Sequence, residues 1–291
     1  MIIISNKTGQ LANRLFAFSH VIANSIEHDI AVLNLNFDEY KPYFEATRQN
    51  DFGTYKIRTQ YFKNDFLDYV FNLLITTLVM FLGPILGKGL GYEMMLIKED
   101  SGNEVDLNSP TILKKSQKKY VFLRGWGFWD QNNLSKHGDE IRELFQLVSP
   151  YKDNVERLIR DCKEEVDVLI GLHIRAGDYR HWQGGKYFYE TEHYVAKARE
   201  LDAEMSKEGK RVGFVICSNE AQDLSLFEGL QVFSSTDHFI EDLYTLSNCD
   251  YILGPPSTYS LWASFHGKTP YLHMETADQE VKIENFKIKA N

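Results

Sequence analysis

Residues 166–179 read VDVLIGLHIRAGDY, an apolar run that ends in three polar side chains. The apolar part, 168–170, is typical of a strand inside a parallel sheet, where both faces are buried. His173, Arg175 and Asp178 follow at the edge where open α/β sheets place their ligands. A guanidinium suits phosphate or carboxylate because its planar fork matches their oxygens. The stretch therefore predicts either an anion-binding site or a surface ion pair between Arg175 and Asp178.

Strands and helices alternate through most of the sequence. In the first segment, the apolar runs Ile2–Ile4 and Ile30–Leu35 flank a stretch of helical spacing. Repeated strand–helix–strand units predict parallel sheets. We expect an α/β, GT-B-like architecture of two Rossmann-like domains facing across a cleft, comprising residues 1–150 and 151–291. Ser149–Pro150 marks the boundary, and the C-terminal tail is expected to pack back on the N-terminal domain.

Charge and cysteine content exclude several classes of protein. The net charge is −9, whereas nonspecific binding to nucleic acid depends on clustered Lys and Arg, so we expect no nucleic acid partner. One basic cluster, 114–119, is typical of a solvated surface. The three cysteines include no C-x-x-C pair, so neither a zinc site nor a disulfide framework is predicted. Cys217 and Cys249 stand in apolar contexts, and a reducing cytoplasmic compartment is the default.

Tyr69–Gly87 is a stretch of 19 residues without a formal charge. A membrane-spanning helix needs about 20 predominantly apolar residues. Asn72, Thr76 and Thr77 dilute this stretch, and a shorter apolar run is typical of a buried or interfacial helix. We expect a buried helix first, contact with a membrane surface second, and a membrane span third.

Residues 254–259 read GPPSTY and follow a predicted strand at 251–253. Ser257 and Thr258 open the next helix, whose first turn has unpaired backbone N–H groups and a partial positive charge. The two hydroxyls add further donors. The segment is therefore either a seat for phosphate or a helix that Ser257 simply caps.

Two more polar residues stand at predicted helix starts. Asp242 lies in the first turn of a predicted helix, Phe239–Ser247, whose N-cap we expect to be Thr236 or Asp237. Its carboxylate can accept two parallel hydrogen bonds from guanine, or it can simply be a favourable charge at the helix start. Asn13 lies in the segment GQLANRLF and is compatible with a helix cap.

Common nucleotide-binding and hydrolase motifs are missing from the sequence. It contains no G-x-G-x-x-G motif, no Walker loop and no G-x-S-x-G elbow. It also contains no Asp-x-Asp pair of the kind that holds a divalent metal on a sugar nucleotide. If a diphosphate binds, Arg175 and helix dipoles have to meet its charge, and we expect neither a metal nor another cofactor.

The order of the motifs resembles that of the GDP-fucose-dependent fucosyltransferases. The similarity is greatest to the bacterial α-1,2-fucosyltransferases, glycosyltransferase family 11. It covers the chain end to end, less clearly over residues 36–118. It rests on these segments: GQLANRLF (9–16), RGWGFW (124–129), HIRAGDY (173–179), SNE (218–220) and EDLYTLSNCDYILGPPSTYSLWASFHG (241–267).

The resemblance implies a GT-B fold and an inverting, metal-independent transfer of L-fucose from GDP-fucose to a glycan hydroxyl, with α-1,2 linkage, in surface polysaccharide synthesis. It implies that His173 and Asp242 contact guanine and that Arg175 binds the β-phosphate. Thr258, with Ser257 and Tyr259, is implied to hold the phosphates, and Asn13 is implied to line the cleft.

The catalytic base stays open at this point. Asp178 and His181 are candidates by position, and Asp178 could instead orient Arg175. Ala176 stands where the family often has a second arginine, which leaves the donor sugar and the linkage in doubt. The alternatives are a transferase that uses another GDP-sugar, or a noncatalytic nucleotide- or glycan-binding protein docked on a membrane.

Overall fold

The computed structural model describes residues 1–86, 93–96, 104–118, 120–125, 127–236 and 238–289. The chain divides into two compact units, Met1–Val148 and Ser149–Asn291. Each unit has its own parallel sheet with helices between the strands, as the alternating pattern of the sequence predicted.

The N-terminal unit contains seven strands and six helices in the described part of the chain. They are β1 (Ile2–Ile4), α1 (Leu11–His28), β2 (Val32–Asn34), α2 (Glu45–Gln49), β3 (Ile57–Arg58), α3 (Asp65–Leu86), β4 (Glu93–Leu96), β5 (Val105–Asp106), α4 (Pro110–Lys118), β6 (Val121–Arg124), β7 (Phe128–Trp129), α5 (Gln131–Lys136) and α6 (Gly138–Leu144). Five strands pair in parallel in the order β3-β2-β1-β6-β4, and β5 pairs with β7.

Helix α1 follows the carboxyl end of the central strand β1 and carries the core of this unit. Leu15, Phe18 and Ile22 recur at helical spacing and are fully buried. The ring of Phe18 packs against Phe37 and Phe145 at centroid distances of 5.4 and 5.9 Å. These contacts hold α1, whose first turn contains Asn13, in the core of the N-terminal unit.

The C-terminal unit contains six strands and four helices among its described residues. They are α7 (Tyr151–Glu165), β8 (Val168–Ile174), α8 (Thr191–Ser206), β9 (Val212–Ser218), β10 (Gln231–Ser234), α9 (Phe239–Ser247), β11 (Tyr251–Gly254), α10 (Thr258–Gly267), β12 (Pro270–His273) and β13 (Lys287–Ile288). The sheet order is β10-β9-β8-β11-β12-β13, and the pairs are parallel except β12 with β13.

This strand order reverses direction beside β8. From β8 the chain builds outward through β9 to β10, and then returns to place β11 on the other side of β8. Adjacent loops leave in opposite directions at such a point and open a crevice at the carboxyl ends of the strands. The crevice therefore lies where the HIRAGDY and GPPSTY segments begin.

The C-terminal tail belongs to the sheet of its own unit. Phe286 is buried in the core cluster that contains β8 and β9 residues, and Lys287 pairs with Tyr271 of β12. These residues form the edge of the C-terminal sheet, and the packing of the tail on the N-terminal domain stays a prediction.

Helix α3 is buried on one side only, so the prediction of a buried helix is wrong. Its inner side packs through Phe71 and Ile75 on the β1–β2 core, but Phe66 is 72% exposed and Leu74 is 63% exposed. The exposed face of α3 consists of Phe66, Leu67, Tyr69, Leu73, Leu74, Leu78 and Phe81. In the part of the chain that the structure describes, no helix has the length and hydrophobicity needed to cross a membrane. Gly87, the predicted last residue of the apolar stretch, lies outside the described residues.

Two smaller predictions have clear outcomes. The N-cap of α9 is His238, whose ring nitrogen accepts from the backbone N–H of Ile240, so the prediction of Thr236 is wrong; Asp237 lies outside the described residues. Cys217 and Cys249 are buried free thiols, as their apolar contexts predicted.

Candidate functional site

The ends of β8 and β11 approach closely at the crevice. Gly254 is the last residue of β11, and a Cβ atom there would lie 2.7 Å from the carbonyl oxygen of His173. Only glycine therefore allows the two strand ends to come this close. The consequence is that the residues after His173 and after Gly254 form one site, although about eighty positions separate them in the chain.

Arg175 is held at this edge with part of its hydrogen-bonding capacity unused. Its Nη2 donates to Asp178 Oδ1 at 2.6 Å, and its Cζ lies 4.9 Å from the centre of the Tyr179 ring. The Nε–H is buried and has no hydrogen-bond partner among the described residues. A buried, unpaired donor on a guanidinium is costly unless a ligand satisfies it. Arg175 is thus both an ion-pair partner of Asp178 and a group equipped to bind an anion.

Tyr179 connects Arg175 to the loop after β11. Its ring supports the guanidinium, and its hydroxyl donates to the carbonyl oxygen of Pro256 at 2.6 Å. Burial raises the pKa of this hydroxyl, and a hydrogen bond with Ser257 lowers that pKa in part. The hydroxyl of Tyr271 likewise donates to the carbonyl of Pro255. Two tyrosine hydroxyls therefore fix the loop that leads into α10.

Helix α10 begins at this loop with the cap that the sequence suggested. Ser257 is the N-cap, and its Oγ accepts from the backbone N–H of Tyr259 at 3.2 Å. Thr258 is the first helical residue and is half-buried. The helix end directs a partial positive charge and N–H donors toward the crevice, which is the usual arrangement for binding phosphate.

His173 is a neutral, buried residue below this site. Its Nδ1 lies 2.5 Å from Ser260 Oγ, and burial, followed by the charge of Arg175, lowers its pKa to about 3. Its ring lies 5.0 Å from the ring of Tyr259. Burial and the nearby Asp242 carboxylate raise the pKa of Tyr259. Tyr259 is therefore a neighbour of both His173 and Asp242.

The two candidate bases differ in their surroundings. The Asp178 carboxylate is 60% exposed and pairs with Arg175. His181 is exposed, and its backbone N–H donates to the carbonyl of Asp178. The ion pair gives Asp178 the geometry of a residue that orients Arg175, whereas His181 keeps an accessible imidazole.

Asn13 lies in the N-terminal unit, in the first turn of α1. The N-cap of this helix is Gln10, so the alternative that Asn13 is a cap is wrong. Its Oδ1 is buried and accepts no hydrogen bond from the residues that the structure describes. Gly9, at φ +60°, brings the backbone against the Asn13 side chain, and a Cβ there would collide with it.

The packing around Ala176 explains why a second arginine does not fit at this position. Ala176 is 5% exposed, and its N–H donates to Asn219 Oδ1 at 2.9 Å. A larger side chain would therefore need space that this packing does not leave.

Several residues of the site were not predicted from the sequence. Tyr179 ends the quoted motif but looks like a core aromatic, and its partner Pro256 is distant in sequence. Asn219 lies in the SNE segment, which contributed to the family resemblance but suggested no role for this residue. Trp126 of the aromatic segment 124–129 lies outside the described residues. Over the residues that the structure covers, no group of three His, Cys, Asp or Glu side chains could hold a metal ion; metal independence stays a prediction.

Comparisons with known proteins identify the relatives. A family model described as glycosyl transferase family 11 matches residues 115–290, more than half of the chain. Among curated proteins, none matches the sequence significantly.

Solved structures of fucosyltransferases share the fold. A mutant of Arabidopsis thaliana FUT1 in complex with GDP has a TM-score of 0.63 at 12% identity, over 98% of this chain and 73% of that chain. POFUT1 in complex with GDP has a TM-score of 0.56 at 10% identity, over 94% and 98%. NodZ from Bradyrhizobium has a TM-score of 0.52 at 14% identity, over 94% of each chain. The predicted GT-B-like fold class is confirmed.

Proposed function

Because the chain belongs to glycosyl transferase family 11, we propose that it transfers L-fucose from GDP-fucose to a hydroxyl group of a glycan. One observation carries this proposal: the unpaired Nε–H of Arg175 lies beside the fixed start of α10, at the strand-order reversal. Such a site suits a diphosphate, because a guanidinium and a helix N-terminus both favour negative charge. GDP is the diphosphate carried by the sugar donor.

The buried part of the site binds guanine. Asp242 accepts hydrogen bonds from the base, and the neutral His173, held by Ser260, contacts it from the end of β8. The depressed pKa of His173 supports this role, because the imidazole then adds no charge to the pocket. Ser257, Thr258 and Tyr259 hold the phosphates, and Asn13 is a substrate-binding residue of the N-terminal unit.

The proposed reaction is a direct displacement with inversion, without a metal. The glycan oxygen forms a bond to the anomeric carbon of fucose while the bond to the β-phosphate oxygen breaks. Arg175 and the start of α10 stabilise the leaving diphosphate, where the negative charge develops. Asp178 orients Arg175, and His181 is the candidate that accepts the proton from the glycan hydroxyl. We expect the linkage to be α-1,2 and the product to belong to surface polysaccharide synthesis.

The test is incubation with GDP-fucose and an oligosaccharide array, with products scored by mass, alongside a panel of other GDP-sugars. Arg175→Ala should abolish transfer and leave the fold intact. Arg211→Ala is a matched control, because Arg211 also pairs with an aspartate, Asp167 at 3.0 Å, at the amino end of the same sheet. Full activity of Arg175→Ala would refute the assignment. Stabilisation by GDP without turnover of any GDP-sugar would favour a noncatalytic binding protein.

We also propose that the enzyme works in the cytoplasm at the inner face of the membrane, with the exposed face of α3 on the lipid. None of the seven residues of that face is charged, and Lys114 and Lys118 on α4 are exposed to meet anionic headgroups. Met1 is common to both regions, since its side chain packs on the same core cluster as Phe71 and its amino group donates to the carbonyl of Ser116.

This docking is tested by sedimentation with vesicles of phosphatidylglycerol and phosphatidylethanolamine. The change is Leu73, Leu74 and Leu78 together to Ser, with Leu224→Ser as an exposed control in the other unit. Since each half-exposed leucine contributes roughly 1 kcal/mol, the triple variant should bind about 100-fold more weakly. Equal binding of the triple variant, or no binding of the unaltered protein, would contradict the proposal.

A further inference from the structure

An aromatic row continues outward from Arg175 along the segment after β8. The ring of Tyr179 lies 4.9 Å from that of Trp182, and Trp182 lies 5.6 Å from Tyr187. The planes of neighbouring rings differ by only 34° to 36°, so the three rings face in similar directions. Tyr179 is buried, whereas Trp182 is 41% exposed. The row therefore runs from the anion-binding Arg175 to the surface.

The protein fixes Trp182 in this exposed position at a conformational cost. Gln183 has φ 49° and ψ 37°, a left-handed conformation that is unfavourable for residues other than glycine, and Gly184 follows at φ 69°. Strain of this kind persists only where the surroundings enforce it, and it concentrates at ligand sites. The turn therefore keeps the indole of Trp182 exposed to solvent.

The start of the segment is anchored. Arg180 makes a two-point ion pair with Glu220, with Nη1–Oε1 and Nη2–Oε2 distances of 2.8 and 2.9 Å, and its Cζ lies 4.9 Å from the ring centre of Phe188. On the far side, Lys186 Nζ lies 2.9 Å from the hydroxyl of Tyr187. Trp182 is consequently a preorganised aromatic surface, and Lys186 is a cationic donor beside the neighbouring ring of Tyr187.

From this geometry we infer that Trp182 and Tyr187 form a stacking platform for the acceptor saccharide. The C–H face of a pyranose is apolar and packs on an aromatic ring, while its hydroxyl groups remain free for donors such as Lys186. The platform is continuous with Arg175 through Tyr179, so a sugar on Trp182 lies next to the donor site. The inference extends the proposed function and rests on it, because the proposed function is what identifies the bound saccharide as the acceptor.

The test measures saccharide binding apart from turnover. Fluorescently labelled protein, saturated with GDP, is applied to an oligosaccharide array, and GDP affinity is measured separately by calorimetry. Trp182→Ala should lower the array signal at least tenfold while GDP affinity stays within twofold. Trp182→Phe should keep most of the signal, because the ring remains. Gln183→Gly relieves the strain but retains the indole, and Leu224→Ala is an exposed control in the same unit; neither should reduce binding by more than twofold.

The outcomes separate this inference from the proposed function. If unaltered protein binds GDP but no saccharide, or if Trp182→Ala binds saccharides as well as unaltered protein does, the platform is refuted and the donor assignment stands. If Trp182→Ala loses GDP affinity and keeps saccharide binding, the indole stacks on guanine and the platform is again refuted. If unaltered protein binds saccharides through Trp182 but does not bind GDP, the proposed function fails and the saccharide site stands.

Discussion

Replacing Tyr179 by Phe tests whether one hydroxyl positions the loop before α10. The hydroxyl is buried and donates to the carbonyl of Pro256 at 2.6 Å. The phenylalanine ring would still support the guanidinium of Arg175, which now lies 4.9 Å from the ring centre. The variant therefore removes the hydrogen bond between the two loops and leaves the cation–π contact in place.

The expected magnitude follows from that single contact. A hydrogen bond contributes about 0.5–1.5 kcal/mol net, and an acceptor left unsatisfied in a buried position costs about 1–3 kcal/mol. Because Pro256 is only half-buried, water can replace part of the bond. We expect the free energy of unfolding of the C-terminal unit to fall by about 1–2 kcal/mol. We also expect the Kd of GDP to rise about fivefold, equivalent to about 1 kcal/mol.

The assay combines urea unfolding with calorimetric titration of GDP and of guanosine. Guanosine has no phosphates, so its affinity should not change if Tyr179 acts through the start of α10. Tyr187→Phe is the matched control, because its hydroxyl contacts only the exposed Lys186 in this part of the described structure. Equal losses for GDP and guanosine would show a general structural role. Unchanged stability and unchanged GDP affinity would refute the positioning argument altogether.

Two further predictions concern stability. Burial lowers the pKa of His173 to about 3 and that of His20 to about 4, from an ordinary value of 6.5. Below pH 6.5 the unfolded chain therefore binds more protons than the folded chain does. The free energy of unfolding should fall as the pH drops from 6.5 toward 4. His173→Gln should flatten the dependence of unfolding free energy on pH by about 1.4 kcal/mol per pH unit in that window, and an unchanged slope in urea titrations would contradict it. Gly267→Ala should cost more than about 2 kcal/mol in urea unfolding, because a Cβ there collides with the backbone oxygen of Ser247. The control Gly229→Ala has open space at φ 86° and should lose only about 1 kcal/mol from backbone strain, so equal losses would rule out the collision.

The sequence predicted the elements of the C-terminal sheet well because their signals are local. The run that became β8 is apolar on both faces, and α9 has the bounds that its sequence predicted, Phe239–Ser247. The α3 helix was predicted as a helix, but its burial was not predicted correctly. A helix that is apolar on all sides does not reveal which side is covered. That depends on which strands lie beneath Phe71, a nonlocal fact.

The site was predictable in part for a related reason. Parallel strands end at one edge, so polar residues after β8 and β11 were expected to meet, and Arg175 and Ser257 do lie at that edge. The contact that joins them, Tyr179 to Pro256, spans 77 positions and has no local signature. Trp182 gave no signal either, because an isolated tryptophan is typical of a core residue until its exposure is known.

The strand order that creates the crevice also governs how this unit folds during synthesis. Strand β8 pairs with β11, and the backbone of Leu169 is bonded to Asp250, 81 residues later. While a ribosome makes those residues, one edge of β8 has no partner, and its apolar side chains are open to other chains. Late pairing across a long loop also slows folding. The reversal that forms the crevice therefore exposes the nascent chain to aggregation, and we expect chaperone supply to limit its yield.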